Sequence, residues 1–128
     1  MISLLVVGLL CKSAVISAGG DVIDLTSVGQ WTLSGGQHDQ LEVTVPGSVY
    51  TDLQQAGVLT GDLLYRFNDV EYRWVALTNW TYRLTFPLTQ EQVDKTSVIL
   101  DCQGLDTVAS VYINNVLVGN SDNMFVRY

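Results

Sequence analysis

The stretch WTYRLTF, residues 80–86, alternates large apolar and polar side chains along its whole length. A period of two places successive side chains on opposite faces of an extended chain, so the pattern predicts a β-strand with one face on a hydrophobic core. Pro87 follows directly and lacks the backbone N–H that further strand pairing would need. With 128 residues, the chain can build one small domain around such a strand.

Two further segments also predict strands. Residues 41–45 alternate in the same way and are followed by Pro46-Gly47. Residues 98–102 instead form a nearly continuous apolar run, which ends before Gly104. Such runs are typical of strands that are covered on both faces, and we expect this for residues 98–102.

Residues 108–118 predict a β-hairpin. Two β-rich halves, 108–113 and 116–118, flank Asn114-Asn115. Asparagine accepts a positive φ more readily than most residues, which favours a two-residue turn of the primed type at this point.

One short helix is predicted near residues 48–56. Ser48 follows the strand-breaking Pro46-Gly47 and can cap the helix, Asp52 suits its first turn, and Gly57 suits its end. The face expected to pack on the core carries Val49, Leu53 and Ala56. Strands at hairpin spacing with one small helix predict an all-β fold, an antiparallel β-sandwich or jelly roll.

The charge balance argues against two classes of partner. Thirteen acidic residues against six basic ones give a formal net charge of −7, and the basic residues are scattered. Binding to nucleic acid or to an anionic membrane surface needs clustered Lys and Arg. We therefore expect no nucleic-acid partner.

Residues 1–18 have the pattern of a secretory signal peptide. Ile2 to Leu10 is nearly all Leu, Val and Ile, too short for the roughly 20 residues of a membrane-spanning helix. Small residues follow within 15–19, where a peptidase could cut. No Lys or Arg precedes the apolar run, and a buried first strand or a membrane anchor is the alternative. Cleavage would leave residues 19–128 as the domain, without a membrane anchor.

After this cleavage, Cys102 would be the only cysteine of residues 19–128, because Cys11 is removed with the signal peptide. A lone cysteine in a secreted domain is either a buried thiol or pairs with something outside this stretch. Its place at the end of an apolar run favours a small buried hydrophobe over a catalytic role.

Candidate catalytic groups are sparse. Sugar hydrolysis normally needs two carboxylates on either side of the scissile bond, about 5–5.5 Å apart for retention and further apart for inversion. Asp69 and Glu71 stand close together in the sequence, in an aromatic setting. A solvated or structural role is favoured for both. His38, the only histidine, lies in a polar stretch expected to be an exposed loop. A single histidine cannot build a zinc site without cysteine or carboxylate ligands beside it. We predict no catalytic residue, no metal ligand and no cofactor.

Aromatic side chains could offer stacking faces to a sugar ring. Most of them must fill the core of a domain of this size, Trp80 and Tyr82 by their place in the alternation. Trp74, in a loop-like stretch, is the tryptophan expected to face a cleft, with Tyr72 and Asp122 as further lining residues.

Asn79-Trp80-Thr81 is the single N-glycosylation sequon of the chain. It lies directly before a predicted strand, in a chain with a predicted signal peptide, so we expect Asn79 to carry a glycan.

From Val45 onward the sequence resembles the N-terminal domain of lysosomal β-mannosidases, which are family 2 glycoside hydrolases. The resemblance covers most of residues 25–128, and its landmarks occur in family order with family-like spacing. The landmarks are Val45-Pro46-Gly47, Gly57, Asn68-Asp69, Arg73-Trp74, Trp80-Thr81-Tyr82, 104–107, Asn114, Gly119 and 122–125. Two positions depart from the family: Asn115 stands where a turn glycine is usual, and Val126 where a histidine often follows the Met-Phe pair.

The resemblance implies a galactose-binding-like jelly roll and a parent enzyme with further domains. In the family, the stretch like 122–125 is followed by more strands, then by immunoglobulin-like domains and a TIM barrel that carries an acid/base glutamate and a nucleophile glutamate. Residues 124–128 resemble the start of a strand, so we expect the jelly roll to be incomplete at its C-terminus. No catalytic residue is carried over to residues 19–128.

The parent implied by the resemblance is a lysosomal exo-β-mannosidase. It would remove terminal non-reducing β-D-mannose from glycoprotein-derived oligosaccharides with retention, and this chain would be a partial, non-catalytic domain of it. Two other interpretations stay open. One is a free-standing secreted carbohydrate-binding module without hydrolase activity, with Trp74, Tyr72 and Asp122 lining a shallow site. The other is a secreted interaction domain that dimerises through its terminal strand.

Overall fold

The computed structural model describes residues 1–7, 10–11, 14–18 and 20–128. Its strands are β1 (Ile2–Val7), β2 (Leu10–Cys11), β3 (Ala14–Ala18), β4 (Asp21–Asp24), β5 (Trp31–Gly35), β6 (His38–Val43), β7 (Gly47–Ser48), β8 (Thr81–Phe86), β9 (Val98–Cys102), β10 (Leu105–Asp106), β11 (Ala109–Ile113) and β12 (Val116–Ser121). Its helices are α1 (Val49–Gln55), α2 (Asn68–Glu71) and α3 (Gln90–Val93), with a 3-10 turn at Arg73–Val75. Within the described ranges, no helix has the length and apolar character needed to cross a membrane.

The strands form one large sheet and two small ones. The large sheet has six strands in the order β12-β11-β1-β8-β5-β6, and the small sheets have the orders β10-β2-β7 and β4-β3-β9. The paired strands run antiparallel, and the consecutive pairs β5–β6 and β11–β12 are hairpins. This confirms the predicted all-β antiparallel architecture.

The alternation in residues 80–86 places β8 at the centre of the core. Tyr82, Leu84 and Phe86 are buried, whereas Arg83 and Thr85 are exposed. β8 pairs on one side with β1 and on the other with β5, so its inner side chains meet neighbours from both strands. The prediction for this strand is confirmed.

Two tryptophans extend the same core. Trp31 on β5 and Trp80, just before β8, are fully buried. Their indole N–H groups donate hydrogen bonds of 2.8 Å to the backbone oxygens of Leu25 and Val75. A large aromatic ring with its polar atom paired can be buried without a desolvation penalty, which is why both rings fill the interior.

Helix α1 begins and ends where the sequence predicts. The Ser48 hydroxyl accepts a hydrogen bond of 3.3 Å from the Thr51 N–H, and the Thr51 hydroxyl accepts one of 3.1 Å from the Ser48 N–H. This reciprocal capping box pairs two donors that the first turn would otherwise leave open. After the helix, Gly57 has a φ of +73°, a conformation that glycine adopts without steric strain.

The predicted inner face of α1 needs one correction. Val49 and Leu53 are buried as expected, but Ala56 is exposed, and Asp52 takes the third buried position. Asp52 lies one turn after Val49 and therefore shares its face of the helix. A carboxylic acid can occupy this position because a buried hydroxyl of β8 pairs with it, as described below.

The hairpin at residues 108–118 is confirmed. Asn114 and Asn115 have φ values of +49° and +66°, as a primed two-residue turn requires. Ile113 pairs with Val116 directly next to the turn, and the register shifts between Val111 and Tyr112.

Residues 98–102 form β9 as predicted, but the expectation that both faces are covered is wrong. β9 is an outer strand of its small sheet, next to β3. Val98 and Ile99 are exposed, whereas Cys102 is buried. The apolar run therefore reflects a strand at a sheet edge, with one end in the core and the other in solvent.

The expectation that residues 124–128 begin a regular strand is also wrong. Residues 124–126 turn, because the Asn123 side-chain oxygen accepts a hydrogen bond of 2.9 Å from the Phe125 N–H. The Cys102 N–H then donates a hydrogen bond of 2.6 Å to the Tyr128 backbone oxygen, and the Tyr128 N–H donates one of 3.0 Å to the Cys102 oxygen. The last residue thus pairs along the outer edge of β9.

Residues 2–7 occupy the middle of the large sheet. β1 pairs with β8 and with β11, and Leu4 and Val6 are only 1% and 3% exposed. Residues 14–18 likewise lie between β4 and β9. The structure shows this segment in the arrangement of a buried first strand. Cleavage after residue 18 is a processing event and stays a prediction.

Candidate functional site

The segment between α1 and β8 carries the aromatic side chains expected to face a sugar. Asn68 Nδ2 donates a hydrogen bond of 2.6 Å to the Asp62 backbone oxygen, and Gln54 Nε2 donates one of 3.1 Å to the Gly61 oxygen. The Gly61 N–H in turn donates a hydrogen bond of 3.2 Å to the Tyr72 hydroxyl. These bonds tie distant parts of the loop together, so the segment has a defined shape despite its short helical turns.

Tyr72 lines a cleft with a volume of about 350 Å³. Tyr50, from α1, and Tyr72 supply two aromatic rings, while Asn68 and Asp69 supply an amide and a carboxylate. Sugars bind to this combination, because an apolar ring face stacks on an aromatic side chain and the hydroxyls bond to polar groups at the rim. The lining residues are Tyr50, Leu63, Leu64, Asn68, Asp69 and Tyr72.

Trp74 lies in a different setting. Its ring centroid is 6.0 Å from that of the buried Trp80 and 6.2 Å from that of His38, and its side chain is 36% exposed. His38 is the first residue of β6 and is half-buried. The expectation of an exposed loop histidine is therefore wrong, because His38 lies in a strand and its ring contacts that of Trp74.

Asp122 lies at the other end of the chain, after β12. It is exposed, its N–H donates a hydrogen bond of 3.3 Å to the Tyr128 hydroxyl, and that hydroxyl donates one of 3.4 Å to Asp122 Oδ1. The cleft at Tyr72 has neither Trp74 nor Asp122 among its lining residues. The structure thus places the three predicted side chains in three different surroundings.

Sequence reasoning missed Tyr50, Asn68 and Asp69 as cleft residues. The one signal in the sequence for Tyr50 is that it does not lie on the face of α1 that carries Val49 and Leu53, which leaves its aromatic ring outside the core. Asp69 lines the cleft, but Glu71, its suggested catalytic companion, does not. In the described part of the chain, no three His, Cys, Asp or Glu side chains lie close enough together to hold a metal ion.

Helix α1 holds Tyr50 at the cleft because its opposite face is anchored in the core. Asp52 Oδ2 accepts a hydrogen bond of 2.7 Å from the Tyr82 hydroxyl. Burial raises the pKa of the Asp52 carboxyl above its ordinary value, and the bond from Tyr82 acts in the opposite direction. Gly47 packs beneath the same carboxyl, since a Cβ there would lie 3.1 Å from Asp52 Oδ1.

Cys102 is a buried free thiol, as one of the two predicted alternatives states. It borders an apolar cavity of about 450 Å³ between β9 and the β11–β12 hairpin. Burial raises the pKa of the Cys102 thiol to about 11, and the charge of Asp101 acts in the same direction. Since the thiolate is the nucleophile, this side chain is inert at neutral pH.

The sequon asparagine is accessible. Asn79 is exposed, Trp80 is buried, and Thr81 is the half-buried first residue of β8. Glycosylation of Asn79 stays a prediction.

Comparison with known sequences identifies the class of protein. Residues 31–128 match the family described as glycosyl hydrolase 2 galactose-binding domain-like. This match covers more than half of the chain, and the chain belongs to that family. The match confirms the resemblance to family 2 glycoside hydrolases and the β-sandwich fold.

Curated relatives of the chain are beta-mannosidases. That of Rattus norvegicus is 43% identical over 122 residues, which cover 93% of this chain and 13% of the relative. Those of Mus musculus and Bos taurus are 45% identical over 103 residues and 42% identical over 108 residues. The match to the Mus musculus protein covers 78% of this chain and 11% of the relative, and the match to the Bos taurus protein covers 84% of this chain and 12% of the relative. The chain thus spans between 11% and 13% of these relatives. No solved structure matches.

Proposed function

We propose that this chain is the non-catalytic galactose-binding-like domain of an exo-β-mannosidase. The observation that carries the proposal is the 43% identity to the Rattus norvegicus beta-mannosidase over 93% of the chain. The parent enzyme hydrolyses terminal non-reducing β-D-mannose residues of glycoprotein-derived oligosaccharides with retention. Its catalytic glutamates belong to a domain that this sequence does not contain.

The described carboxylates support a role without hydrolysis. Retention needs two carboxylates about 5–5.5 Å apart on either side of the scissile bond. The three glutamates lie on three different elements, Glu42 on β6, Glu71 on α2 and Glu91 on α3, and all are exposed. Asp69 is the carboxylate that reaches the cleft, and it supplies a hydrogen-bond acceptor there.

The cleft between Tyr50 and Tyr72 is the proposed wall that meets the oligosaccharide. Trp74 and Asp122 stay proposed lining residues of the larger site, Trp74 because part of its ring is exposed. Titration of the chain with a β-mannose-terminated oligosaccharide, followed by NMR, tests this. Tyr72→Ala should abolish the chemical-shift changes, whereas Tyr65→Ala, at an exposed ring of the same segment, should keep them. Equal effects of both variants would contradict the cleft assignment.

The proposed location is the secretory pathway, with the lysosome as destination and secretion as the alternative. The leader pattern of residues 1–18 and the exposed Asn79 support this route. In animal cells, the chain should carry a glycan that a glycosidase removes, and Asn79→Gln should migrate like the deglycosylated protein. A chain that migrates identically with and without the asparagine would contradict glycosylation at this position.

A free-standing carbohydrate-binding module is the second candidate function. The cleft supports it as strongly as it supports a domain of an exo-β-mannosidase. A chimera separates the two. Replacing the matching region of the Rattus norvegicus enzyme with this chain should leave hydrolysis of a chromogenic β-mannoside intact, because the domain then stands in its proper place. A chimera that folds and is secreted but has no activity would favour the module.

A further inference from the structure

The outer face of the large sheet carries a polar groove. Because side chains alternate along a strand, the residues of β8 that do not face the core project to the opposite face of the sheet. These residues, Thr81, Arg83 and Thr85, line a groove with a volume of about 510 Å³. Thr32 and Ser34 of β5 lie opposite Arg83 and Thr81 and form the other side of the groove.

Several acceptor groups of the groove are held in place. The Ser34 hydroxyl donates a hydrogen bond of 2.8 Å to Asp39 Oδ1 and accepts one of 3.0 Å from the Gln40 N–H. Gln30 Nε2 donates hydrogen bonds of 3.0 and 3.1 Å to two backbone oxygens. These contacts fix the side chains of Asp39 and Gln30. Within the described ranges, Asp39 Oδ2 and Gln30 Oε1 have no donor, so both can accept a hydrogen bond from a ligand.

Arg83 supplies the donors of the groove. Its side chain is exposed, and no salt bridge or hydrogen bond joins its guanidinium to another residue in the described part of the chain. The guanidinium offers five N–H donors, and the hydroxyls of Thr32 and Thr85 can both donate and accept. Sugar hydroxyls also donate and accept. The mixture of donors and acceptors therefore matches the chemistry of a saccharide.

The groove differs from the cleft at Tyr72 because none of the described residues that line it is aromatic. A free sugar in such a groove would rely on hydrogen bonds that mostly replace its bonds to water, and the net gain from these is small. A sugar that is covalently attached beside the groove has a high effective concentration there, so weak contacts are sufficient to hold it. The polar lining therefore favours a saccharide that is already part of the chain.

Asn79, the sequon asparagine, lies at the end of the groove. Thr81 is both the third residue of the sequon and a lining residue of the groove. Trp80 between them is buried and Asn79 is exposed, so Asn79 and Thr81 lie on the same side of the chain, roughly 7 Å apart if it is extended. Gly35, which follows Ser34, packs against Asn79, since a Cβ there would lie 2.7 Å from the Asn79 backbone oxygen.

We propose that this groove is the docking site of an N-glycan attached to Asn79. The inner N-acetylglucosamine residues lie along β5 and β8, and their hydroxyl and acetamide groups bond to Arg83, Asp39 and the threonine hydroxyls. The inference rests on the glycosylation of Asn79 proposed above. All lining residues lie within residues 30–85, so they belong to the chain with or without residues 1–18.

The rate at which a peptide-N-glycosidase releases the glycan from the folded chain tests the docking, because the enzyme must reach the bond between Asn79 and the first sugar. The chain is produced in animal cells, and release is followed by mass spectrometry. Arg83→Ala should speed release at least about fivefold, since the glycan loses several hydrogen bonds. Arg73→Ala, at an exposed arginine of the 3-10 turn, should stay within about twofold of the wild-type rate.

Two controls separate docking from stability. After denaturation, all chains should release the glycan at the same rate, and amide protection of residues 81–86 should persist in folded Arg83→Ala. If that protection is lost, Thr85→Val decides, because it removes a hydroxyl from the groove and keeps a β-branched side chain on β8. Thr85→Val should also speed release. Release from Arg83→Ala and Thr85→Val at the rate of Arg73→Ala would overturn the proposal.

The NMR signal of the Arg83 Nε–H group distinguishes an attached sugar from a free one. This signal should differ between the glycosylated chain and Asn79→Gln. Millimolar N,N′-diacetylchitobiose added to Asn79→Gln should leave it unchanged. A shift caused by the free disaccharide would overturn the proposal, because the groove would then bind sugars without attachment.

The outcomes also separate this inference from the proposed function. An unmodified Asn79 in the chain from animal cells would overturn the docking together with the proposed glycosylation, and would leave the assignment to an exo-β-mannosidase standing. A glycan that is present but equally accessible in all variants would overturn the docking alone. An inactive chimera would leave the docking site standing, because no mannoside hydrolysis enters these experiments.

Discussion

The Tyr82 hydroxyl donates a hydrogen bond of 2.7 Å to Asp52 Oδ2, and the carboxyl side of this pair is 2% exposed. The bond joins α1 to β8, the strand at the centre of the core. An unpaired carboxyl would be costly at this depth, so the pair explains how a helix with an acid on its inner face docks against the sheet. It also fixes the helix that carries Tyr50 to the cleft.

Tyr82→Phe should lower the free energy of unfolding by about 1–3 kcal/mol, because a buried carboxyl would lose its donor. Urea unfolding of the full chain measures this. Tyr65→Phe, at an exposed ring, should change the free energy of unfolding by less than about 0.5 kcal/mol. Equal stability of the two variants would show that the Asp52–Tyr82 bond does not hold α1 in place.

The same pair predicts a dependence of stability on pH. Burial raises the folded-state pKa of Asp52 above the unfolded value of about 3.9. The folded chain therefore binds a proton more tightly than the unfolded chain. The contribution of this group is fully present below the unfolded pKa and is lost as the pH rises through the folded-state pKa.

The comparison is between the wild-type chain and Asp52→Asn, whose side-chain oxygen can still accept the bond from Tyr82. The wild-type free energy of unfolding minus that of the variant should fall as the pH rises across this window. Asp21→Asn, at an exposed residue of β4, serves as the matched control. A difference that is flat with pH, or one that rises, would contradict the assignment.

Cys102 should resist alkylation in the folded chain. A shift of its pKa from 9.0 to about 11 lowers the fraction of thiolate about a hundredfold at neutral pH, and burial adds a steric barrier. Iodoacetamide should therefore modify Cys102 slowly in buffer and completely in concentrated urea, as followed by mass spectrometry of the peptide that contains it. Rapid modification under native conditions would place this thiol outside the core.

Gly61→Ala should weaken the cleft. A Cβ at this position would lie 2.8 Å from Asn68 Nδ2 and 3.1 Å from the Tyr72 hydroxyl, so both cleft side chains must move. We expect reduced binding of a β-mannose-terminated oligosaccharide in the NMR titration. Gly119→Ala is the control, because no atom lies within 4 Å of its Cβ position. Unchanged binding in Gly61→Ala would show that the cleft is not where the sugar lies.

Features with a local cause could be predicted from the sequence. The alternation at residues 80–86 is a property of one strand, the caps of α1 depend on residues three apart, and the turn at Asn114-Asn115 depends on two backbone conformations. Each of these is set by neighbours along the chain. Each is found in the structure within a residue or two of its predicted position.

Features that depend on the partner strand could not be predicted from the sequence. An apolar run such as 2–7 has the composition of both a leader and a central strand, and only its pairing with β8 and β11 distinguishes them. The apolar run of β9 gives no sign that it lies at a sheet edge. For the cleft, Tyr72 could be anticipated from its aromatic surroundings, but Tyr50 reaches it through the packing of α1 on the sheet.

The most direct test of the central claim, that this domain contains none of the hydrolytic machinery, is the turnover of a nitrophenyl β-D-mannoside by the purified chain alone. We predict no release of nitrophenol above the uncatalysed rate, at acidic or at neutral pH, even at concentrations at which the oligosaccharide binds. Release that increases in proportion to the concentration of the chain, and that disappears in Asp69→Asn, would contradict the account.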